Sequence, residues 1–283
     1  MNAATRRAAV TGMAAALATP AAAASGPRRV VSLNPCLDVI LAHVADRWQI
    51  AAISHYSHDP QVSSIGPSAR TLPFTYESAE EVLALRPDLV LTSRHSAPAT
   101  RAALKRLGVR TELFTVPDSI AESYAQIRQV AAAVGRPRRG EALIQRIEAT
   151  LTKSAPPPGA RRVKALLYQS RGFAAGPGTL MDEMMRRAGL DNAVTRYGLK
   201  RSGNVPLELL IADPPDILLA GEARPGAPTW ADRVLNHPAL GQAGARVRRV
   251  TFPERLTFCG GPVILEAMPM LARARDLALE ARP

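Results

Sequence analysis

The segment Glu80 to Leu91 (EEVLALRPDLVL) returns in altered form, without a gap, at Glu208 to Leu219 (ELLIADPPDILL). Glu80 falls on Glu208, Ala84 on Ala212, Pro87-Asp88 on Pro215-Asp216 and Leu91 on Leu219. Each copy carries the same physical instruction. A short apolar helix runs into proline, which lacks the N–H needed to continue it, and an apolar run follows. A parallel strand buried on both faces is a continuous apolar run of this kind. One such unit in each half of the chain predicts two similar α/β lobes. Two lobes make a cleft, and clefts between lobes are where small molecules bind.

The rest of the chain extends this pattern. Strands are predicted at Arg29–Leu33, Ile50–Ser54, Leu89–Thr92 and Val109–Phe114. Between them come helices at Cys36–Ala45, Glu77–Leu85 and Ala99–Leu107, the last closed by Gly108. Alternating strands and helices imply a parallel sheet with helices on its faces. From Ser119 to Lys153 the apolar residues recur at helical spacing, with only Gly135-Arg136-Pro137 as an interruption, and Pro156-Pro157-Pro158-Gly159 ends the stretch. It reads as a rigid helical connector; two ordinary packed helices would preserve the two-lobe picture. The α/β pattern then restarts. Strands are predicted at Val163–Tyr168, Ile217–Ala220 and Arg246–Thr251, with helices at Thr179–Ala188, Leu207–Ala212 and Val263–Leu279. The expected organisation is a leader at 1–24, an N-terminal lobe at 28–117, a connecting helix at 118–155 and a C-terminal lobe at 160–283.

A chain of 283 residues, 47% hydrophobic and only 21% charged, is globular rather than disordered. The leader has Arg6-Arg7, a mildly apolar stretch from Ala8 to Ala18 too short to span a membrane, and a small-residue cleavage site at Ala22-Ala23-Ala24. A general secretory route and a twin-arginine route both fit. No cysteine stands at the cleavage point, so the expectation is an exported periplasmic protein without a lipid anchor. The net charge of +12 is spread along the chain. It reads as solubility and attraction to anionic surfaces, with an anionic ligand as the sharper alternative. No nucleic-acid-binding motif is visible. Cys36 and Cys259 are the only cysteines. In an oxidising compartment they suggest one disulfide, and two buried thiols or two metal ligands are the alternatives.

The ordered set RVVSLNPCLDVILA, SHYSHDP, EEVLALRPDLVL, the connector, GFAAGPGTL, NAV at 192–194, ELLIADPPDILL and FCGGP runs from about Arg28 to Leu279. It resembles the periplasmic solute-binding proteins of vitamin B12 and ferric-siderophore ABC importers. The resemblance implies two Rossmann-like α/β lobes joined by one long rigid helix. It also implies a ligand held between the lobes without large hinge motion, no catalysis, no cofactor, and docking of a monomer on a membrane permease. Glu80 and Glu208 match the glutamates that face permease arginines in the vitamin B12-binding members. A carboxylate at a helix start is also favoured by the helix dipole, but recurrence at equivalent points favours docking.

Ligands of open α/β sheets bind beyond the carboxyl ends of the strands. Those ends carry Cys36, then His55, Tyr56, Ser57 and His58, then Arg94 and His95. In the second half they carry Arg171 and Phe173, then Phe258 with Gly260. Tyr56 matches an aromatic of the pocket in the resembling proteins. Arg94 and Arg171 could meet carboxylates or phosphates. His55 and His58 are weak candidates for a metal; a ready-made metal complex is the stronger expectation. The glycine pair of FCGGP could let backbone approach a ligand or simply make a tight entry into a helix. Tryptophans that line the vitamin B12 pocket are absent: Trp48 and Trp230 stand elsewhere, and Ser93 with Arg94-His95 occupies one apolar wall. The ligand classes expected are therefore ferric siderophore, haem and corrinoid, and these residues are also compatible with a ligand more polar than cobalamin. An exported enzyme that processes metal chelates, or a sensory binding module, is the alternative on the same fold. Neither GxxxxGK nor GxSxG occurs, which argues against nucleotide hydrolysis and a serine hydrolase.

Overall fold

The structure is a computed structural model that describes residues 26–169, 172–221 and 248–280. The predicted leader, Arg171 and Trp230 lie outside these residues. Five parallel strands form the first sheet: β1 (Val30–Ser32), β2 (Ile50–Ser54), β3 (Phe74–Thr75), β4 (Leu89–Ser93) and β5 (Thr111–Phe114), in the order β3-β2-β1-β4-β5. A second parallel sheet has the order β11-β10-β6-β8. Its strands are β6 (Val163–Tyr168), β8 (Leu190–Asn192), β10 (Ile217–Ala220) and β11 (Arg248–Thr251). A short antiparallel pair, β7 (Phe173–Ala174) and β9 (Gly203–Asn204), stands beside it. The helices are α1 (Pro35–Val44), α2 (Ala79–Ala84), α3 (Pro98–Arg106), α4 (Ile120–Ala133), α5 (Pro137–Ser154), α6 (Leu180–Arg187), α7 (Leu207–Ala212) and α8 (Ile264–Glu280). The α/β class and its two parallel sheets agree with the sequence.

The repeated segment makes the same structure twice, α2 followed by β4 and α7 followed by β10. In the first copy the Ser78 hydroxyl accepts from Glu81 N–H at 3.2 Å and starts α2. The helix stops because Pro87 disfavours helical backbone just before it, and Arg86 turns left-handed at φ 47°. The aspartate after each proline has one task in both copies. Asp88 accepts from the N–H groups of Arg28 (2.7 Å) and Arg29 (3.0 Å) at the entry to β1. Asp216 accepts from Lys164 N–H (3.1 Å) at the entry to β6. The repeat thus fixes the register of each central strand pair.

Alternation along the strands sorts the core. Ala165 and Leu167 of β6, with Ile217 and Leu219 of β10, point to one face; Leu166, Tyr168, Leu218 and Ala220 point to the other. The first face joins Leu89 and Leu91 of the N-terminal sheet in a single apolar cluster, completed by α1, α4, α5, α6 and α8. The outer faces pack separately. Val31, Val90, Val82 and Leu104 form one outer cluster, and Leu166, Val194 and Leu210 belong to the other.

The connector differs from a single long helix. Gly135 adopts φ 72° and Pro137 begins a new helix, so α4 and α5 fold back on each other as a pair. Gly140 lets them close: a Cβ there would stand 2.7 Å from that of Ala131. Cys36 and Cys259 form a disulfide with Cα atoms 5.1 Å apart, which removes both thiols from the list of metal ligands. Among the described residues no helix is long and apolar enough to cross a membrane. If the repeated aspartates hold the central strands, Asp88→Ala and Asp216→Ala should each lower the unfolding free energy by about 1 kcal/mol. Urea unfolding checks this, and two variants as stable as the parent would refute it.

Candidate ligand-binding site

In each sheet the chain builds outward in one direction and then crosses to the other side of its first strand. The switch lies between β1 and β4 in one sheet and between β6 and β10 in the other. Ligand crevices open at such points, outside the strands' carboxyl ends. At the first switch Asn34 follows β1. Its side-chain oxygen caps α1 by accepting from Cys36 N–H (3.0 Å), and its amide donates to Ser93 Oγ (3.1 Å) at the end of β4. The Cys36–Cys259 bond brings the segment after β11 against this rim, so the rims of both sheets meet here.

An aromatic shelf continues along the first rim. The backbone leaves β2 at Ser54 and makes a 3-10 turn over His55–His58. Buried Asp38 of α1 holds that turn from beneath, accepting from Ser54 N–H (2.9 Å) and from the Ser57 hydroxyl (2.7 Å). Ser57 therefore points inward and is buried, which corrects its expected place against ligand. His55 and Tyr56 are left on the rim, with ring centres 4.0 Å apart. Tyr76, just past β3, stands 5.0 Å from His55 and 5.5 Å from Phe74, and Phe74 lies 4.7 Å from His58. Tyr56 is 49% exposed, Phe74 45% and Tyr76 66%. Large apolar rings in a row at this exposure offer a flat hydrophobic surface. Phe74 and Tyr76 were not singled out from the sequence. The only available hint was the rarity of aromatics, at 4% of the chain.

The other expected residues fall into three groups. Arg94 and His95 are exposed just past β4, and Phe173 and Phe258 are exposed in the second half. Cys36 is half-buried in the disulfide. His58 is half-buried with Nε2 3.2 Å from the Leu72 carbonyl, so that contact and Phe74 occupy it. Gly260 is buried, and a Cβ there would meet Ser123 Oγ at 2.8 Å and the Pro117 ring at 2.9 Å. Its lack of a side chain serves packing against α4 rather than approach to a ligand, while the next residue, Gly261, donates its N–H to Ser123 Oγ. Among the described residues no three of His, Cys, Asp and Glu gather as metal ligands.

NAV is explained by Asn192. Its amide donates to the Ala175 carbonyl (2.8 Å) and to Asp182 Oδ1 (3.1 Å), tying the glycine-rich turn to α6. Glu80 and Glu208 are exposed in the first turns of α2 and α7, and neither forms a salt bridge among the described residues. Beside the first switch point lies a cavity of about 190 Å³, walled by residues of β1–α1, β4, β5, α4 and Phe258.

The support beneath the shelf is electrostatically unusual. Burial pushes the Asp38 carboxyl well above its ordinary value of 3.8, against the lowering effect of its hydrogen bonds, and Glu77 adds to the rise. Burial also raises Glu77, whose Oε1 accepts from the Ser54 hydroxyl at 2.5 Å. The folded protein therefore binds protons that the unfolded chain releases. Stability from these groups is fully present below the unfolded carboxyl range and is lost as pH rises through the elevated folded values. Asp38→Asn removes the larger penalty and should flatten the loss of stability as pH rises above the ordinary carboxyl range of about 4. Urea melts across that range measure the slope; a slope equal to the parent's would show that Asp38 is not its source.

Known proteins share this architecture. A curated cobalamin-binding protein of Halobacterium salinarum is 24% identical over 202 residues, covering 70% of this chain and 54% of its own length. The chain thus spans about half the length of the curated relatives it matches. The periplasmic heme-binding protein RhuT from Roseiflexus sp. RS-1, in apo form, superposes with TM-score 0.67 at 25% identity, covering 88% of this chain and 100% of that one. The periplasmic heme-binding protein BhuT, in complex with two hemes, gives TM-score 0.68 at 25% identity, covering 90% and 99%. A family model described as periplasmic binding protein matches residues 30–254, most of the sequence, and the chain belongs to that family.

Proposed function

We propose that this chain is the substrate-binding component of an ABC importer. It captures a metal chelate (haem, corrinoid or ferric siderophore) between its two halves and delivers it to an inner-membrane permease. The aromatic shelf of His55, Tyr56, Tyr76 and Phe74 carries the reading. A row of exposed rings at the carboxyl ends of β2 and β3 suits a flat ligand with an apolar face. The relatives named for cobalamin and heme add support from similarity. Phe173 and Phe258 contribute from the second half, and Arg94, His95 and Arg171 serve the ligand's polar edge. The protein acts as an exported periplasmic monomer after loss of residues 1–24, without catalysis of its own. Its lobes are residues 28–117 and 160–283, with 118–155 between them.

Purified protein titrated separately with hemin, cyanocobalamin and a ferric hydroxamate siderophore should saturate with one of them at one site, followed by visible absorption and tyrosine fluorescence. Combined Tyr56→Ala and Tyr76→Ala should weaken that ligand by at least about tenfold, or about 1.4 kcal/mol. Failure of all three to bind would sink the proposal.

Docking falls to Glu80 and Glu208, which present uncompensated carboxylates at equivalent points of the two halves and suit arginines on a permease. Glu80→Ala with Glu208→Ala should leave ligand affinity within about twofold and abolish ligand-dependent uptake by cells carrying the cognate permease, because each lost charge pair weakens docking. Normal uptake by the double variant would refute this role.

A further inference from the structure

Trp48 has no part in the site at the carboxyl ends of the strands. It stands in the 3-10 turn Arg47–Gln49 that enters β2, at the opposite end of that strand from His55 and Tyr56, and is 60% exposed. The turn itself is firmly built. Gln49 is buried; its side-chain oxygen accepts from Asp46 N–H at 2.9 Å, and its amide donates to the carbonyls of Pro27 (2.8 Å) and Val134 (3.0 Å). One exposed ring on a surface is ordinary. The charges around this one are not.

Arginines reach this turn from three segments. Arg47 donates to the Thr71 carbonyl, which brings the turn beside the exposed Arg70. Asp46, just before the turn, accepts from Arg136 (Nε, 3.0 Å) and from Arg139 (Nη2, 2.6 Å) at the start of α5, and the exposed Arg138 lies between those two in sequence. Asp46 is the carboxylate that salt-bridges this group, while Arg47, Arg70 and Arg138 form no ion pair among the described residues. Five arginines thus meet one carboxylate. Two of them also stand where the helix disfavours them. Positive charge in a first turn opposes the helix dipole, yet the first turn of α5 holds Arg138 and Arg139 and no acidic residue. Cations kept against local helix stability point to a use outside the fold.

We infer that this face is a docking surface for anionic phospholipid, with the Trp48 ring at headgroup level and the arginines on lipid phosphates. Tryptophan partitions to the membrane–water interface, and clustered arginines are drawn to anionic headgroups. An apolar insertion and a basic patch together hold a protein on a bilayer where either alone is weak. Guanidinium groups match phosphate oxygens in pairs. An acidic protein would complement the same charge; the uncovered indole beside it favours lipid, whose headgroup level is apolar on one side and wet on the other. The face lies at the amino end of β2. Lipid there leaves uncovered the aromatic shelf and Glu80, which sit on the carboxyl side of the sheet. The inference stands whichever ligand the cleft takes, and it goes beyond capture by giving the protein a contact with the bilayer itself.

The test is co-sedimentation of the chain from Ser25 onward, so that the leader takes no part, with phosphatidylcholine vesicles that contain or lack phosphatidylglycerol. The protein should sediment with the phosphatidylglycerol vesicles, stay in solution with phosphatidylcholine alone, and be released by added salt. Tryptophan emission should move to shorter wavelength on binding. Trp48→Phe should abolish that shift, leaving Trp230 as the only tryptophan. Arg47→Ser with Arg138→Ser should weaken partitioning at least about tenfold, from about fivefold for each arginine. Lys200→Ser with Arg201→Ser removes the same charge from another exposed place and should change partitioning by less than about twofold. Equal losses in the two double variants would reveal attraction by net charge alone and overturn the surface, as would equal binding to phosphatidylcholine alone. Tighter binding to soluble polyglutamate than to the vesicles, with no Trp48 shift, would assign the face to an acidic protein and overturn the lipid. Chelate capture is untouched by any of these results, because ligand titration without vesicles tests it separately.

Discussion

The apolar cluster shared by the two sheets is the constraint on which the rest of the structure depends. Its members come from β4, β6 and β10 and from α1, α4, α5, α6 and α8. Two sheets that each bury one face in the same core are not independent bodies on a flexible linker. Their carboxyl-end rims are held near one another by packing, and the Cys36–Cys259 bond fastens the point where they meet. The rim residues of the candidate site accordingly rest on one packed core. The Asn34–Ser93 hydrogen bond, the aromatic shelf and the cavity beside them all rest on strands whose register this core dictates.

The shelf shows how a polar cost in the interior can position rings at the surface. Asp38 is fully buried among the apolar residues of α1. Its two hydrogen bonds to the turn after β2 decide which residues of that turn face in and which face out. Burial of the carboxyl is unfavourable to its charge, so Asp38 and Glu77 hold their protons to higher pH than ordinary carboxyls do. Strain belongs to the same spot, because Glu77 is a non-glycine residue at φ 70°. Local compromises of this sort are common at binding sites, where position matters more than stability.

The central strands are legible in the sequence because β4 and β10 are continuous apolar runs introduced by proline, and β2 has the bounds its sequence predicts. The two-residue strands β3, β7 and β9 were not, since so short a segment carries no period. Missing β3 hid Tyr76 and Phe74, which read as part of a loop. The direction of Ser57 was equally hidden: a 3-10 turn gives no alternation to read, and the partner that turns it inward comes from α1. Spacing could not join Cys36 to Cys259, because a separation of 223 residues says nothing about distance in space. Gln126 sits within a helix, and only the fold reveals that its side-chain oxygen has no hydrogen-bond partner among the described residues.

The shared core also sets an order of events in synthesis. Val30, near its beginning, and Ala278, near its end, belong to the same cluster, and Cys36 waits for Cys259. Nearly the whole chain must be available before either the interior or the cross-link can be completed. The N-terminal half emerges first with its inner sheet face still uncovered, an exposed adhesive surface of the kind chaperones shield. Dependence on distant contacts slows closure. A core shared by both halves thus carries with it a vulnerable interval before the last helix arrives.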